Sequence, residues 1–208
     1  MKIDNIKPDQ IEKKSFEIIT EILNDNNKTI PAEYEAVVKR CIHTSADFEY
    51  ADSLYFSDGV LESLKEAIKN GACIITDTQM VKAGINKKRL AEHGGEVFCF
   101  IGDEDVAKEA KDRGVTRSLV SMEKASRLGK PLIFAIGNAP TALFSICHLV
   151  ESGKLDPCGV IGVPVGFVNV VESKEKLIKL GIPCIVARGR KGGSNIAAAI
   201  CNAILYNM

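Results

Sequence analysis

Five short apolar runs recur along the chain with helix-sized segments between them: Ala72 to Thr76, Glu96 to Ile101, Pro131 to Ile136, Gly159 to Val163 and Pro183 to Ala187. Each is too short for a core helix and apolar enough to be covered on both faces, which marks a buried strand. Strands joined by helical crossovers pair in parallel. The pattern predicts an α/β protein with a flavodoxin-like, doubly wound parallel sheet of five strands. In such sheets ligands bind beyond the carboxyl ends of the strands.

The first seventy residues break the alternation and add extra N-terminal helices. One is expected near residues 8–25, where Ile11, Ile18 and Ile22 form a stripe that also carries Ser15, turned inward. A second is expected near 31–43, with Pro31 in its first turn and Val37, Val38, Cys41 and Ile42 on its apolar face. A third, near 58–70, takes Ser57 as N-cap and Gly71 as terminator. No repeat or linker-like stretch divides the chain. Residues 1–208 are therefore expected to form a single domain, 1–70 mainly helical and 71–208 alternating β/α.

Lys plus Arg and Asp plus Glu balance at 27 each, so no overall field draws the chain to nucleic acid or a membrane surface. Any anion site must be local. The seven cysteines are odd in number and lack a Cys-x-x-Cys pair, which suits buried thiols of a reducing compartment. Met1–Asn5 lacks the apolar core of a signal peptide, no segment has membrane-spanning length, and the expected location is the cytoplasm. No His/Cys/Asp/Glu cluster has metal-ligand spacing, and no protein-borne metal is expected.

The segments after the strands are Asp77-Thr78, Gly102-Asp103, Gly137 to Thr141, Pro164 to Phe167 and Arg188 to Asn195. The last places Arg188, Arg190 and Lys191 among Gly189, Gly192 and Gly193, immediately before a helix opening at Ser194. Glycines let backbone N–H groups approach a ligand, and the helix start adds unpaired donors and partial positive charge. Three crowded cations repel one another unless solvated or occupied by anions. In the Gly137 loop, Pro140 suits a first helical turn, so the N–H groups of Asn138 and Ala139 are candidates to point into the crevice; a plain tight turn fits the same residues. Asp103 reads as a helix N-cap.

Of the three histidines, His93 reads as a helix-end residue and His148 as a residue within a helix. His43 ends the second helix and is followed by Asp47 and Glu49, so it sits at the negative end of a helix dipole with carboxylates nearby. That is a setting for a general acid, and equally for a capping histidine. Arg117 opens a helix, a poor place for a cation unless an anionic partner meets it.

Taken in order, Ile11 to Phe16, Arg40-Cys41-Ile42-His43, Asp77 to Val81, Gly137 to Leu143, Gly162 to Val168, Glu172-Ser173-Lys174 and Arg188 to Ser194 resemble the precorrin-8 methylmutase family over nearly the whole chain. The resemblance implies an isomerase of cobalamin biosynthesis that moves a methyl group from carbon 11 to carbon 12 of a corrin precursor. It implies a homodimer of flavodoxin-like subunits, with room for transient contact with neighbouring pathway enzymes. The family's catalytic histidine matches His43, a proton donor to the macrocycle; substrate contacts carry over onto Ser15 and Arg117, and onto Asn138, Ala139, Arg188, Arg190, Lys191, Gly192, Gly193 and Ser194. Asn86 stands where the family is associated with a threonine. A rearrangement within one molecule requires no cofactor, and the abundant thiols favour a cobalt-containing substrate. A non-catalytic tetrapyrrole carrier would need the same slot. A receiver-like signalling module would want an aspartate where this chain has Gly137-Asn138.

Overall fold

The computed structural model describes residues 7–208; Met1–Asn5, read above, lie outside them. A 3-10 turn (Pro8–Gln10) leads into α1 (Ile11–Asp25), α2 (Glu35–Ser45), α3 (Tyr50–Ser53), β1 (Leu54–Phe56) and α4 (Val60–Lys69). Then follow β2 (Cys73–Thr76), α5 (Gln79–Gly84), α6 (Lys87–Ala91), β3 (Val97–Phe98), α7 (Glu104–Arg113) and α8 (Arg117–Ala125). The rest alternates strictly: β4 (Leu132–Ile136), α9 (Pro140–Glu151), β5 (Gly159–Gly162), α10 (Val170–Lys179), β6 (Cys184–Ala187) and α11 (Ser194–Tyr206).

The sheet has six strands in the order β1-β6-β5-β4-β2-β3. The five expected strands are present and pair in parallel. Their order is that of a flavodoxin-like sheet, which reverses direction between β2 and β4. The sixth strand, β1, runs antiparallel along β6 and corrects the five-strand expectation. Its three residues are too few to show a period, and it is held by its neighbour: the Arg188 N–H donates to Ser53 O at 2.8 Å and the Ser57 N–H to Cys184 O at 3.0 Å.

Strand side chains alternate between two cores. Ile74, Ile133, Ala135, Ile161 and Ile185 join the core that includes residues of α1, α2, α4 and α11. Ile75, Phe134, Ile136, Val160 and Val186 join the one that includes residues of α8, α9 and α10. Both faces of the central strands are thus dry, as their continuous apolar runs require.

Several local expectations are corrected. The second helix begins at Glu35, because Pro31 instead opens a turn whose carbonyl accepts from the Tyr34 N–H at 2.9 Å. Ser57 does not cap α4: that helix starts after Gly59, whose φ is +66°, and the Ser57 hydroxyl accepts from the Cys184 N–H at 2.9 Å. On α1 the buried residues are Ile19 and Leu23, while Ile11 and Ile18 remain 51% and 43% exposed. The apolar stripe foreseen there faces outward. Asp103 occupies the N-cap position of α7, but its carboxylate accepts from Lys124 at 2.8 Å instead of capping. Six cysteines are buried and Cys158 is partly so, all as free thiols. Among the described residues no helix is long and apolar enough to cross a membrane.

Candidate active site

The crevice where the sheet reverses is organised by Asp77, the residue after β2. Its side chain is buried. Oδ1 accepts from the Gly137 N–H at 2.9 Å, and Oδ2 accepts from the N–H groups of Asn138 and Ala139 at 2.8 and 2.7 Å. Burial pushes the Asp77 carboxyl above the ordinary carboxylate range, opposed by the three N–H donors. Of the two readings of the Gly137 loop, the tight turn holds: its backbone donors are taken up inside the protein and do not point into the crevice. What the loop offers outward is the exposed Asn138 side chain.

The loops that follow β5 and β6 close on the same point. A Cβ at Gly137 would lie 2.7 Å from Ser194 Cα, and one at Gly192 would lie 2.1 Å from Val163 O, so at both positions only glycine allows the approach. The Gly193 N–H donates to Val163 O at 2.9 Å. The Ser194 and Thr78 hydroxyls pair at 2.9 Å, which ties the start of α11 to the end of β2 and leaves one O–H of the pair unspent. Arg117, exposed at the first position of α8, is brought to this rim: the Thr116 hydroxyl before it donates to Thr141 Oγ1 on α9 at 3.1 Å.

The three cations of the 188–194 loop are not a cluster. Arg188 lies 5.0 Å from the Tyr55 ring centroid and 3.9 Å from Glu175, towards β1. Lys191 contacts Asp47 at 2.5 Å and Glu49 at 2.7 Å. Those carboxylates raise the Lys191 pKa, and the hydrogen bond from Lys191 lowers that of Asp47. Only Arg190 is both exposed and without an ion pair among the described residues. The carboxylates foreseen beside His43 therefore serve Lys191, and in doing so they join the segment after α2 to the 188–194 loop.

His43 is exposed in the last turn of α2, with its ring stacked on Phe16 at 5.3 Å. Arg40 lies over the other ring contacts of this face, 4.9 Å from Phe16 and 5.5 Å from Tyr206, and pairs with Glu12. Ser15, next to Phe16, is half-buried and donates its hydroxyl to Ile11 O at 2.9 Å, a turn back along its own helix. Asn86 caps α6, its Oδ1 accepting from the Arg89 N–H at 3.1 Å, while Nδ2 donates to Tyr206 Oη at 3.3 Å. That amide is already engaged within the protein.

Two residues of the site had no assigned role in the sequence. Asp77 is the polar residue that ends an apolar run at the reversal point of the sheet. Lys174 interrupts the buried stripe Val170, Ser173, Leu177 of α10 and is itself fully buried. Its ammonium donates to Gly189 O at 2.9 Å and Lys191 O at 2.8 Å.

A model of the precorrin-8X methylmutase family matches residues 10–207. The cobalt-precorrin-8 methylmutase of Priestia megaterium is 47% identical over 199 residues, 96% of this chain and 88% of that protein. The cobalt-precorrin-8 methylmutase of Salmonella typhimurium is 45% identical over 206 residues, covering 97% and 96%. The solved precorrin-8x methyl mutase of Thermus thermophilus superposes with a TM-score of 0.86 at 35% identity, covering 95% of this chain and 96% of that one.

Asp77→Asn sets an amide NH2 against backbone N–H donors, and a loss of about 3 kcal/mol of unfolding free energy in urea is expected; a loss under about 1 kcal/mol would show that the bond does not carry the crevice. A second expectation concerns pH. Burial lowers the Lys174 ammonium to about 8 from its ordinary 10.5. Between those values the unfolded chain holds a proton that the folded one has released, so this lysine makes stability rise with pH across that window. The stability difference between the wild type and Lys174→Met should therefore move in favour of the wild type between about pH 8 and about 10.5; a pH-independent difference contradicts it.

Proposed function

Because the chain belongs to the precorrin-8X methylmutase family and is an intramolecular methyl-transferring isomerase of cobalamin biosynthesis, we propose that it shifts a methyl group from carbon 11 to carbon 12 of cobalt-precorrin-8, with His43 as proton donor. The observation that carries the site assignment is the Lys191 bridge to Asp47 and Glu49, which joins the end of the helix bearing His43 to the loop bearing Arg190. A proton donor and an unpaired cation thereby border one surface. Exposed Val165, Phe167 and Val168 follow β5 beside that loop, where the Gly166 N–H donates to Arg190 O at 3.2 Å. An apolar wall with separated polar groups suits a flat macrocycle edged with carboxylates.

In the reaction His43 gives a proton to the conjugated ring system, which makes carbon 12 the acceptor of the migrating methyl and its bonding pair. The ring system then returns a proton to the His43 imidazole, so substrate and product have the same composition and the donor is restored. The protein contributes the proton and a fixed geometry. Arg190, Asn138, Ser194, Arg117 and Ser15 are the groups proposed to hold the periphery. The cobalt belongs to the substrate; relatives named for the cobalt-containing compound at 47% and 45% identity, against 38% for the precorrin-8X methylmutase of Pseudomonas aeruginosa, support that choice.

His43→Ala is expected to lower the rate of the absorption change at constant mass by at least ~100-fold, with macrocycle binding in spectral titration kept; turnover near the wild-type rate removes His43 from the mechanism. We also propose a homodimer, because α1 leaves Ile11 and Ile18 exposed together on one face, and Tyr206 of α11 lies exposed beside Arg40. Sedimentation equilibrium should give a dimer for the wild type and a shift towards monomer for Ile18→Lys; a monomeric wild type contradicts this.

A further inference from the structure

Lys174 is a buried cation with no carboxylate partner among the described residues. Desolvating an ammonium is costly, and an apolar residue of the same length would fill the space under α10 without that cost. The compensation is confined to two backbone carbonyls, Gly189 O at 2.9 Å and Lys191 O at 2.8 Å. These flank Arg190, whose own carbonyl accepts from the Gly166 N–H at 3.2 Å. Three successive carbonyls are thus each held by a donor from the β5–α10 side.

The segment needs such fastening. Gly189 has φ +75°, and Gly192 and Gly193 have φ of +154° and +136°, so the stretch lacks helical or strand pairing of its own and is built from residues that gain most freedom when released. At its centre Arg190 points outward without an ion pair among the described residues, while Arg188 leans on Tyr55 and Lys191 is neutralised by Asp47 and Glu49. An unpartnered guanidinium contributes to binding an anion only to the extent that its stem is already in place.

We infer that Lys174 is a positioning residue: by holding the Gly189 and Lys191 carbonyls it fixes the backbone from which Arg190 meets a carboxylate of the substrate. This rests on the proposed function, in which the Arg190 loop binds the corrinoid periphery. Lys174 touches neither substrate nor reacting atoms, so its contribution belongs in KM and not in kcat.

The test is steady-state turnover of cobalt-precorrin-8 by the wild type, Arg190→Ala, Lys174→Met and the double variant. Each single substitution should raise KM roughly tenfold, the loss of one charge-assisted contact, with kcat within about threefold. The double variant should be no worse than the weaker single one, since both remove the same contact. In Lys174→Ala, which leaves a space the length of propylammonium, adding that cation should lower KM again while leaving Arg190→Ala unchanged. Should Lys174→Met fail to fold, Lys174→Gln is measured in its place, with hydrogen exchange of residues 189–193 expected to rise. Multiplicative KM effects in the double variant, or a Lys174 substitution that alters stability alone, overturn the inference while the substrate assignment stands. An Arg190→Ala enzyme with wild-type KM also overturns the inference, whereas a wild type that leaves cobalt-precorrin-8 unchanged overturns the substrate assignment.

Discussion

The bond on which this molecule turns joins the end of β2 to the start of α9 across the reversal point of the sheet. A carboxylate there must lose its water, and a single partner would not make that tolerable. Three consecutive N–H groups do, because the turn after β4 aims all of them at one residue. The consequence reaches past the two strands. Gly137 is set where its Cα can abut Ser194, and the loop after β6 then seats Gly192 against the carbonyl of Val163. Three strand-end segments become one surface. In an open α/β sheet the crevice at the reversal point exists anyway; here a buried acid decides its floor.

A second consequence is a division among the charged groups. The chain is balanced overall, and within the site most charges are spent on the protein itself: Asp77 on backbone donors, Lys174 on backbone acceptors, Lys191 on Asp47 and Glu49. Arg190 and Arg117 are exposed instead, with no ion pair to another described residue. Positive charge is thus presented at chosen points and not as a field, which matches an anionic periphery of separated carboxylates better than a phosphate cluster or a polyanion.

How much of this could be read from residues alone depends on the range of the cause. The five parallel strands were legible because burial on both faces leaves a local trace, a short run that is almost wholly apolar. β1 was not, since its three residues are too few to show a period and their strand partner β6 lies more than 120 residues away. The outward stripe of α1 misled because periodicity locates an apolar face without saying whether the same chain covers it. In the candidate site, His43 stood out by type and place, and the 188–194 loop by its glycines and its three cations. The partners did not. Nothing in the order of residues says that Asp47 belongs to Lys191, 144 positions on, or that the donors of the Gly137 loop are claimed by Asp77, 60 positions back. Long-range pairing decides which charges remain for a ligand, and only the fold supplies it.

The two halves of the site also differ in how firmly they are held. The strand-end loops are fixed by buried bonds, where a lost partner leaves a desolvated group behind and the cost of moving is high. His43 stands on the exposed end of α2, against one ring of α1, and its connection to the loops runs through Lys191, whose bridge is largely in water and correspondingly weak. A methyl shift within a bound molecule asks for this asymmetry. The migrating carbon and its acceptor must keep one geometry throughout, which the rigid floor can impose, whereas the proton donor proposed at His43 would have to approach, release its proton and let the product go. A helix end resting on one aromatic ring can make such an adjustment without disturbing the sheet beneath it.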